Sequence, residues 1–286
     1  MENMRIAVIM TVFNRKEITI KCLSSISQDY YINRTRFQID IFLTDDNSSD
    51  GTFDAIKKLF PYVNIYKTDG TLFWGRGMLH SWKKAVEHGD YDAYLWMNDD
   101  NELFDYALEE MFDCANKTDW NSIICGCFKS SSGVFTYGGL DAKRRKVIPN
   151  GAMQGIVYMN GNLVLIPNNV VEKIGLIDPH FHHLGGDYDY GFTAKKNSIK
   201  IYTTQRYIGI SERNPNGDNR GRRPGSSLRK RVHDLYHCPF IENPPQVWYE
   251  KRKHEKNLIY CIAIMIKMHM LVLLPDCVYN IIRRNK

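Results

Sequence analysis

Ala93-Tyr94-Leu95-Trp96-Met97-Asn98-Asp99-Asp100-Asn101 sets five apolar residues directly against four polar ones. The apolar half is too short for a buried helix and rich in aromatic residues, so it reads as a strand buried on both faces. Two earlier stretches repeat the arrangement. Residues 6–13 form an apolar run that stops at Asn14-Arg15, and 39–43 reads as a second buried strand that ends in Thr44-Asp45-Asp46-Asn47. Helical patterns separate them: 17–26 carries Ile18, Cys22 and Ile26 on one stripe, and 52–60 is stopped by Pro61. A strand at 63–66, a helix at 75–88 with Met78, Trp82, Ala85 and Val86 as its apolar face, a helix at 103–115 and a strand at 122–128 continue the alternation. Such alternation predicts an α/β domain with a mostly parallel, Rossmann-like sheet flanked by helices. Ligands bind beyond the carboxyl ends of the strands in such sheets, so the three polar clusters are expected on one rim.

The second half is less regular. Residues 134–148, with Gly138-Gly139 inside, suggest a hairpin. A strand is expected at 161–166 before a Pro167-Asn168-Asn169 turn, a helix at 187–196 and a strand at 199–203. Gly, Pro, Asn and Arg crowd 212–227, which reads as a loop. Beyond Ser226 the pattern is helical. The expected division is therefore a catalytic domain at 1–225, with halves at about 1–102 and 103–225, and basic amphipathic helices at 226–286.

Composition narrows the function. The chain has 286 residues and a formal net charge of +6, with the basic excess gathered in 206–231 and in the C-terminal stretch. That balance favours anionic partners. Nucleic acid is not expected among them, because acids at the strand ends would repel phosphates in the absence of a metal. The seven cysteines are odd in number and include no CxxC pair, so they form neither a disulfide framework nor a zinc site, and a reducing compartment follows. The apolar stretch 6–13 is too short for a signal peptide. No apolar run reaches the roughly 18 residues of a membrane span, and the nearest, 258–274, is broken by Lys267 and His269. A cytoplasmic protein is expected.

Asn98-Asp99-Asp100-Asn101 brings carboxylates together at a strand end. They repel one another unless a cation lies among them, and Mg²⁺ or Mn²⁺ is held by one or two carboxylates together with substrate phosphates. The alternative is an Asx-rich turn in which Asp100 or Asn101 caps a helix starting at Leu103. Asp45-Asp46-Asn47-Ser48-Ser49-Asp50-Gly51-Thr52 offers a carboxylate for a base N–H or a ribose hydroxyl, or else a polar loop with a good N-cap. In Leu72-Phe73-Trp74-Gly75-Arg76-Gly77-Met78, aromatic residues beside two glycines suggest close packing of a ligand against backbone, with a helix start over core aromatics as the alternative.

Thr11-Val12-Phe13-Asn14-Arg15, the Asp45–Thr52 run and Asn98-Asp99-Asp100, in this order and spacing, resemble the signature of family-2 glycosyltransferases of the GT-A fold. The resemblance covers roughly residues 4–210. The segment at 72–78 is similar to one in the bacterial surface-polysaccharide, rhamnosyltransferase-like branch of that family. The family implies transfer of a sugar from a nucleotide-sugar donor, a UDP- or dTDP-sugar, to a hydroxyl of a glycan or lipid-linked acceptor. Residue by residue, it implies donor contacts at Thr11, Phe13, Arg15, Asp46, Trp74, Arg76 and Asp99. It implies a Mn²⁺ or Mg²⁺ on Asp100, with Asn98 in the position of the first Asp of DxD. Asp187-Tyr188-Asp189-Tyr190 resembles the segment that supplies the catalytic base, with Gly186 standing where the family has a glutamate. Asp187 is the expected base of an inverting displacement. Asp189, His182 and His183 are candidate acceptor contacts.

The stretch 247–286 mixes Lys, Arg and His with Leu, Ile and Met, which suits an anionic membrane surface on the inner face of the membrane, or packing on the catalytic domain. Two other functions compete. A sugar nucleotidyltransferase would carry a Gly-rich loop after the first strand, and Asn14-Arg15-Lys16-Glu17 has no glycine. A catalytically silent carbohydrate-binding partner would have no reason to keep Asp46, Asp100 and Asp187 together.

Overall fold

The computed structural model describes residues 4–26, 37–213 and 225–279. Most of the loop expected at 212–227 and the last residues of the C-terminal stretch lie outside them.

Eight strands form one sheet in the order β3-β2-β1-β4-β9-β6-β10-β5. The nucleotide-sugar half expected from sequence supplies its left side: β1 (Met4–Val12), α1 (Lys16–Ser25), β2 (Phe37–Asp45), α2 (Thr52–Leu59), β3 (Val63–Lys67), α3 (Phe73–His88) and β4 (Ala93–Met97). These four strands run parallel. Alternate residues of β1 serve opposite faces of the sheet, and both faces are covered. Ile6, Val8, Met10 and Val12 of β1 pack with Cys22 and Leu23 of α1 and Ile56 of α2. Ala7 and Ile9 face the other way, toward Met78, Trp82 and Ala85 of α3. Trp82 and Trp96 are fully buried and meet edge to face at 5.4 Å. Full burial of such a side chain contributes roughly 1.5–3 kcal/mol.

The right side comprises β5 (Glu102–Leu103), α4 (Ala107–Asn116), β6 (Ser122–Lys129), β9 (Leu163–Pro167), α5 (Asn168–Ile174), α6 (Gly186–Lys196) and β10 (Lys200–Ile210). It departs from the sequence expectation in four places. β9 runs antiparallel to both β4 and β6, so the sheet is mixed at its centre. The helix expected from Leu103 starts at Ala107, because Glu102 and Leu103 first pair with Ile210 and Gly209 of β10. The expected Pro167-Asn168-Asn169 turn is the start of α5, with Pro167 as its N-cap residue. Gly139-Leu140 (β7) pairs mainly with Tyr158-Met159 (β8) rather than closing a simple hairpin, although a Leu140–Lys146 bridge is present.

The chain divides into two units: Met1–His182 with Gly186–Arg213, and His183–Gly185 with Asn214–Lys286. The second contains α7 (Leu228–His237), α8 (Pro244–His254) and α9 (Leu258–Leu273). Ser227, Asn243 and Asn257 cap the three helices through their side chains. Among the described residues no helix is long and apolar enough to cross a membrane, and all seven cysteines are free.

Candidate active site

The polar ends of β1, β2 and β4 meet on one rim and are tied to each other. Asn14 stands at φ 51°, a left-handed conformation that Asn tolerates better than most residues. Its N–H donates to Ser48 Oγ at 2.9 Å, and its Oδ1 accepts from the Ser49 N–H at 2.8 Å. Asp50 accepts from the Lys16 N–H at 3.0 Å. The Asn14-Arg15 turn and the Asp45–Thr52 run therefore hold a single shape between them.

Asp46 is 4% exposed, and both its oxygens are engaged. They accept from Thr68 Oγ1 at 2.8 Å and from the backbone N–H groups of Gly70 at 3.1 Å, Leu72 at 3.0 Å and Phe73 at 2.8 Å. This carboxylate shapes the 68–73 loop and sets Phe73 at the mouth of α3 with φ 55°. Asp45 is fully buried. Its Oδ1 accepts from the Ser48 N–H at 2.6 Å while its Oδ2 has no partner.

Beyond β4, Arg15 bridges the two acids. One guanidinium nitrogen donates to Asp99 Oδ1 at 3.0 Å and to Asp100 Oδ2 at 3.1 Å. Asp99 is 5% exposed, and burial pushes its carboxyl up to about 6 against the pull of Arg15. Asp100 Oδ1 is buried with no partner. Neither Asp100 nor Asn101 caps a helix: α4 begins well after them, at Ala107, and Asn101 donates to the Asn162 carbonyl at 2.6 Å. The capping alternative is thereby removed.

Asn98 lies beside this pair. Its Oδ1 accepts from Trp74 Nε1 at 2.7 Å. An indole N–H only donates, so the amide must present its oxygen to Trp74. One lone pair of that oxygen is thereby engaged, while Asp100 Oδ1 has no partner at all. Among the described residues no group of three or more His, Cys, Asp or Glu could hold a metal. A hard ion on the lone Asp100 oxygen would take its remaining ligands from phosphates and water, as Mg²⁺ commonly does. What these residues offer such an ion is one unpartnered carboxylate oxygen, with the Arg15 guanidinium 3.1 Å from the other oxygen of Asp100.

Trp74 also reaches the candidate base. A Cβ on Gly161 would lie 2.7 Å from the Trp74 ring, so only glycine lets the indole close on that backbone. The Gly161 N–H in turn donates to Asp187 Oδ2 at 3.1 Å, and the Tyr188 N–H donates to Asp187 Oδ1 at 2.9 Å. Asp187 sits in the first turn of α6, where the helix dipole favours a carboxylate. Asn98, Trp74, Gly161 and Asp187 thus form one connected chain of contacts. The Asn160-Gly161-Asn162 segment is a part of the site that sequence reasoning missed. Its only signal was a polar triplet, Asn-Gly-Asn, immediately before an apolar run.

The remaining candidates are placed as follows. Thr11 donates to the Thr44 carbonyl at 3.2 Å and packs against Gly77, where a Cβ would approach its hydroxyl to 2.3 Å. Phe13 is 55% exposed on the rim. Arg76 donates to the Pro179 carbonyl at 3.0 Å. The His182 carbonyl accepts from the Gly75 N–H at 2.7 Å, and burial lowers the pKa of its ring, with Arg76 adding to the effect. Asp189 is 2% exposed in α6. His183 belongs to the second unit, where its ring meets Phe240 at 4.8 Å.

The profile of a family described as Glycosyl transferase family 2 matches residues 7–173, more than half of the chain. No curated protein sequence matches. Among solved structures, S. aureus TarS is similar with a TM-score of 0.53 at 12% identity, covering 86% of this chain and 42% of TarS. The 1-349 portion of S. aureus TarS in complex with UDP-GlcNAc gives 0.54 at 12% identity, over 87% of this chain and 71% of that one. The same portion in complex with UDP gives 0.52 at 12% identity, over 87% and 70%. The chain thus spans less than half of full TarS, and likeness at this identity concerns the fold, which is GT-A.

Proposed function

Because this chain belongs to glycosyl transferase family 2, we propose that it moves a sugar from a UDP- or dTDP-sugar to a hydroxyl of a glycan or lipid-linked acceptor, with inversion, in surface-polysaccharide assembly. The observation that carries this reading is the contact chain through Trp74. It joins the end of β4, where Asp100 keeps a buried unpartnered oxygen, to Asp187 at the start of α6. One place suited to a diphosphate and one suited to a proton acceptor are thereby fixed relative to each other. The TarS complexes with UDP-GlcNAc and UDP support a nucleotide donor on this fold.

In this mechanism Arg15 and Asp99 border the donor, and Asp46 holds the 68–73 loop against which the nucleotide lies. Asp100 would hold a divalent cation, which when bound supplies positive charge to the departing diphosphate. Asp187 takes the proton from the attacking acceptor hydroxyl. Its two backbone hydrogen bonds fix the direction of its lone pairs. A panel of UDP- and dTDP-sugars tested for thermal stabilisation with Mn²⁺ should give a distinct upward shift for one donor. A flat panel, together with no release of nucleoside diphosphate, would sink the reading.

The second unit supports a membrane-associated acceptor. Ile259 (79% exposed), Ile266 (55%) and Met270 (56%) on α9 are open to solvent, and α8 ends in Lys251-Arg252-Lys253-His254. Apolar and basic groups together suit an anionic bilayer surface. Full-length protein should float with anionic vesicles and stay down with neutral ones. Equal recovery of a chain ending near Glu242 would remove this part of the proposal.

A further inference from the structure

A cationic turn is linked through two aromatic rings to the residue that follows the candidate base, and it is built rather than incidental. Lys143-Arg144-Arg145-Lys146 carries four positive charges against one acid, Asp141, for a net +3. All four basic residues are exposed. Asp141 is engaged in shaping the turn: its carboxylate accepts from the Lys143 N–H at 2.8 Å, the Arg145 N–H at 2.9 Å and Arg145 Nε at 2.7 Å. The acid therefore pairs with Arg145, and the exposed Lys143 and Lys146 add their charges to the turn without an ion pair to it. Backbone hydrogen bonds from Asp141 N–H to the Arg145 carbonyl and from Arg144 N–H to the Asp141 carbonyl, both 2.9 Å, close the loop. Arg144 is held at φ 60°, a left-handed conformation unusual for a long side chain.

The turn leads to Asp187 over aromatic rings. The Arg144 guanidinium lies 4.6 Å from the centre of the Tyr158 ring. Tyr158 meets Tyr188 at 5.6 Å and Phe192 at 5.2 Å, both edge to face. All three residues are half-buried. Tyr188 directly follows Asp187. Half-buried aromatic side chains suit contact with the apolar parts of sugar rings, and the lysines and arginines beyond them suit carboxylate or phosphate groups. In the proposed function the donor diphosphate belongs at the end of β4, where Asp100 would hold its cation, and not at this turn.

We infer that Tyr158, Tyr188 and the turn carrying Lys143, Arg144 and Lys146 form an acceptor subsite for an anionic glycan, one bearing carboxylate or phosphate groups. This rests on the transferase reading for its meaning as an acceptor site, but not for the binding itself. A membrane surface could also meet a cationic turn, yet it would leave the aromatic run toward Asp187 without a purpose.

Calorimetry with oligogalacturonate and with a neutral malto-oligosaccharide is the test, UDP and dTDP being titrated into the same samples. Wild type should prefer oligogalacturonate. Lys143→Ala/Lys146→Ala should lose about tenfold of that affinity, the scale of two exposed ion pairs, while UDP affinity stays unchanged. Salt near 1 M, where the screening length is about 3 Å, should erase the preference. Tyr158→Leu should weaken both glycans alike. Equal affinity of wild type for the two glycans would overturn the inference, as would a preference that survives in the double variant. Binding of phosphatidylglycerol vesicles in place of oligogalacturonate, lost in the double variant, would overturn it in favour of a membrane surface. A wild type that binds oligogalacturonate but no nucleotide would sink the transferase reading and leave this site standing.

Discussion

Asp187→Asn is expected to lower turnover roughly 10²–10⁴-fold, the usual worth of a positioned general base, with donor affinity little changed. Two backbone N–H groups, of Gly161 and Tyr188, hold the carboxylate from either oxygen. An amide keeps one of those acceptors and turns an NH₂ toward the other donor, so a local loss of about 1 kcal/mol accompanies the loss of basicity. Asp187→Ala separates the two effects. If the carboxylate takes a proton, added formate should restore part of the turnover of the Ala variant, whereas a purely structural role would leave formate without effect. A fall in nucleotide binding of the same size as the fall in rate would make Asp187 a positioning residue instead. The anomeric configuration of the product, read by NMR, is independent of either variant. Retention of the donor's configuration would rule out a single displacement.

The left half of the sheet was legible because its strands are buried on both faces and end abruptly. Residues 6–13, 39–43 and 93–97 are apolar but for Thr11 and Asp40, they lead into Asn14-Arg15, Thr44-Asp45-Asp46 and Asn98-Asp99-Asp100, and the structure puts those ends on one rim. The direction of β9 was not legible. Leu163–Pro167 is five buried residues whose pattern is the same read forward or backward, so only its neighbours β4 and β6 decide its sense. Glu102-Leu103 has helix-forming residues, but Phe104 N–H bonds to the Ile208 carbonyl, a partner over a hundred residues away, and that pairing delays α4. Asn168-Asn169 was read as a turn by composition, although after an extended Pro167 the same residues open a helix.

The site divides in the same way. Which residues matter could be proposed from motif order, but what each one touches could not. The Asp46 carboxylate is engaged by a loop that begins 22 residues downstream. Trp74 looked like a ligand platform or a core aromatic, and it is a link: its indole nitrogen holds Asn98 and its ring covers Gly161. Asn160-Gly161-Asn162 went unnoticed because a polar triplet before a strand is common, and only the backbone N–H offered to Asp187 distinguishes it.

Asp100→Ala should abolish the metal-dependent part of nucleotide binding while leaving the fold intact. Arg15 would still pair with Asp99 at 3.0 Å, so no buried charge is orphaned by the change. The loss in Mn²⁺ affinity should exceed the roughly 10–100-fold typical of residues that merely support a metal ligand. Arg15→Leu provides the opposite sign. One guanidinium nitrogen serves both Asp99 and Asp100, so its removal leaves two neighbouring carboxylates with no cation between them. With the competing cation gone and burial favouring a proton on Asp99, the divalent ion should bind more tightly and displace that proton. Calorimetric titration of Mn²⁺ into each variant, with and without UDP, reads both effects apart from any activity. If Asp100→Ala binds Mn²⁺ and UDP as wild type does, the unpartnered oxygen of Asp100 is not a metal ligand. If Arg15→Leu weakens Mn²⁺ binding instead, the guanidinium organises the acids for the ion rather than competing with it.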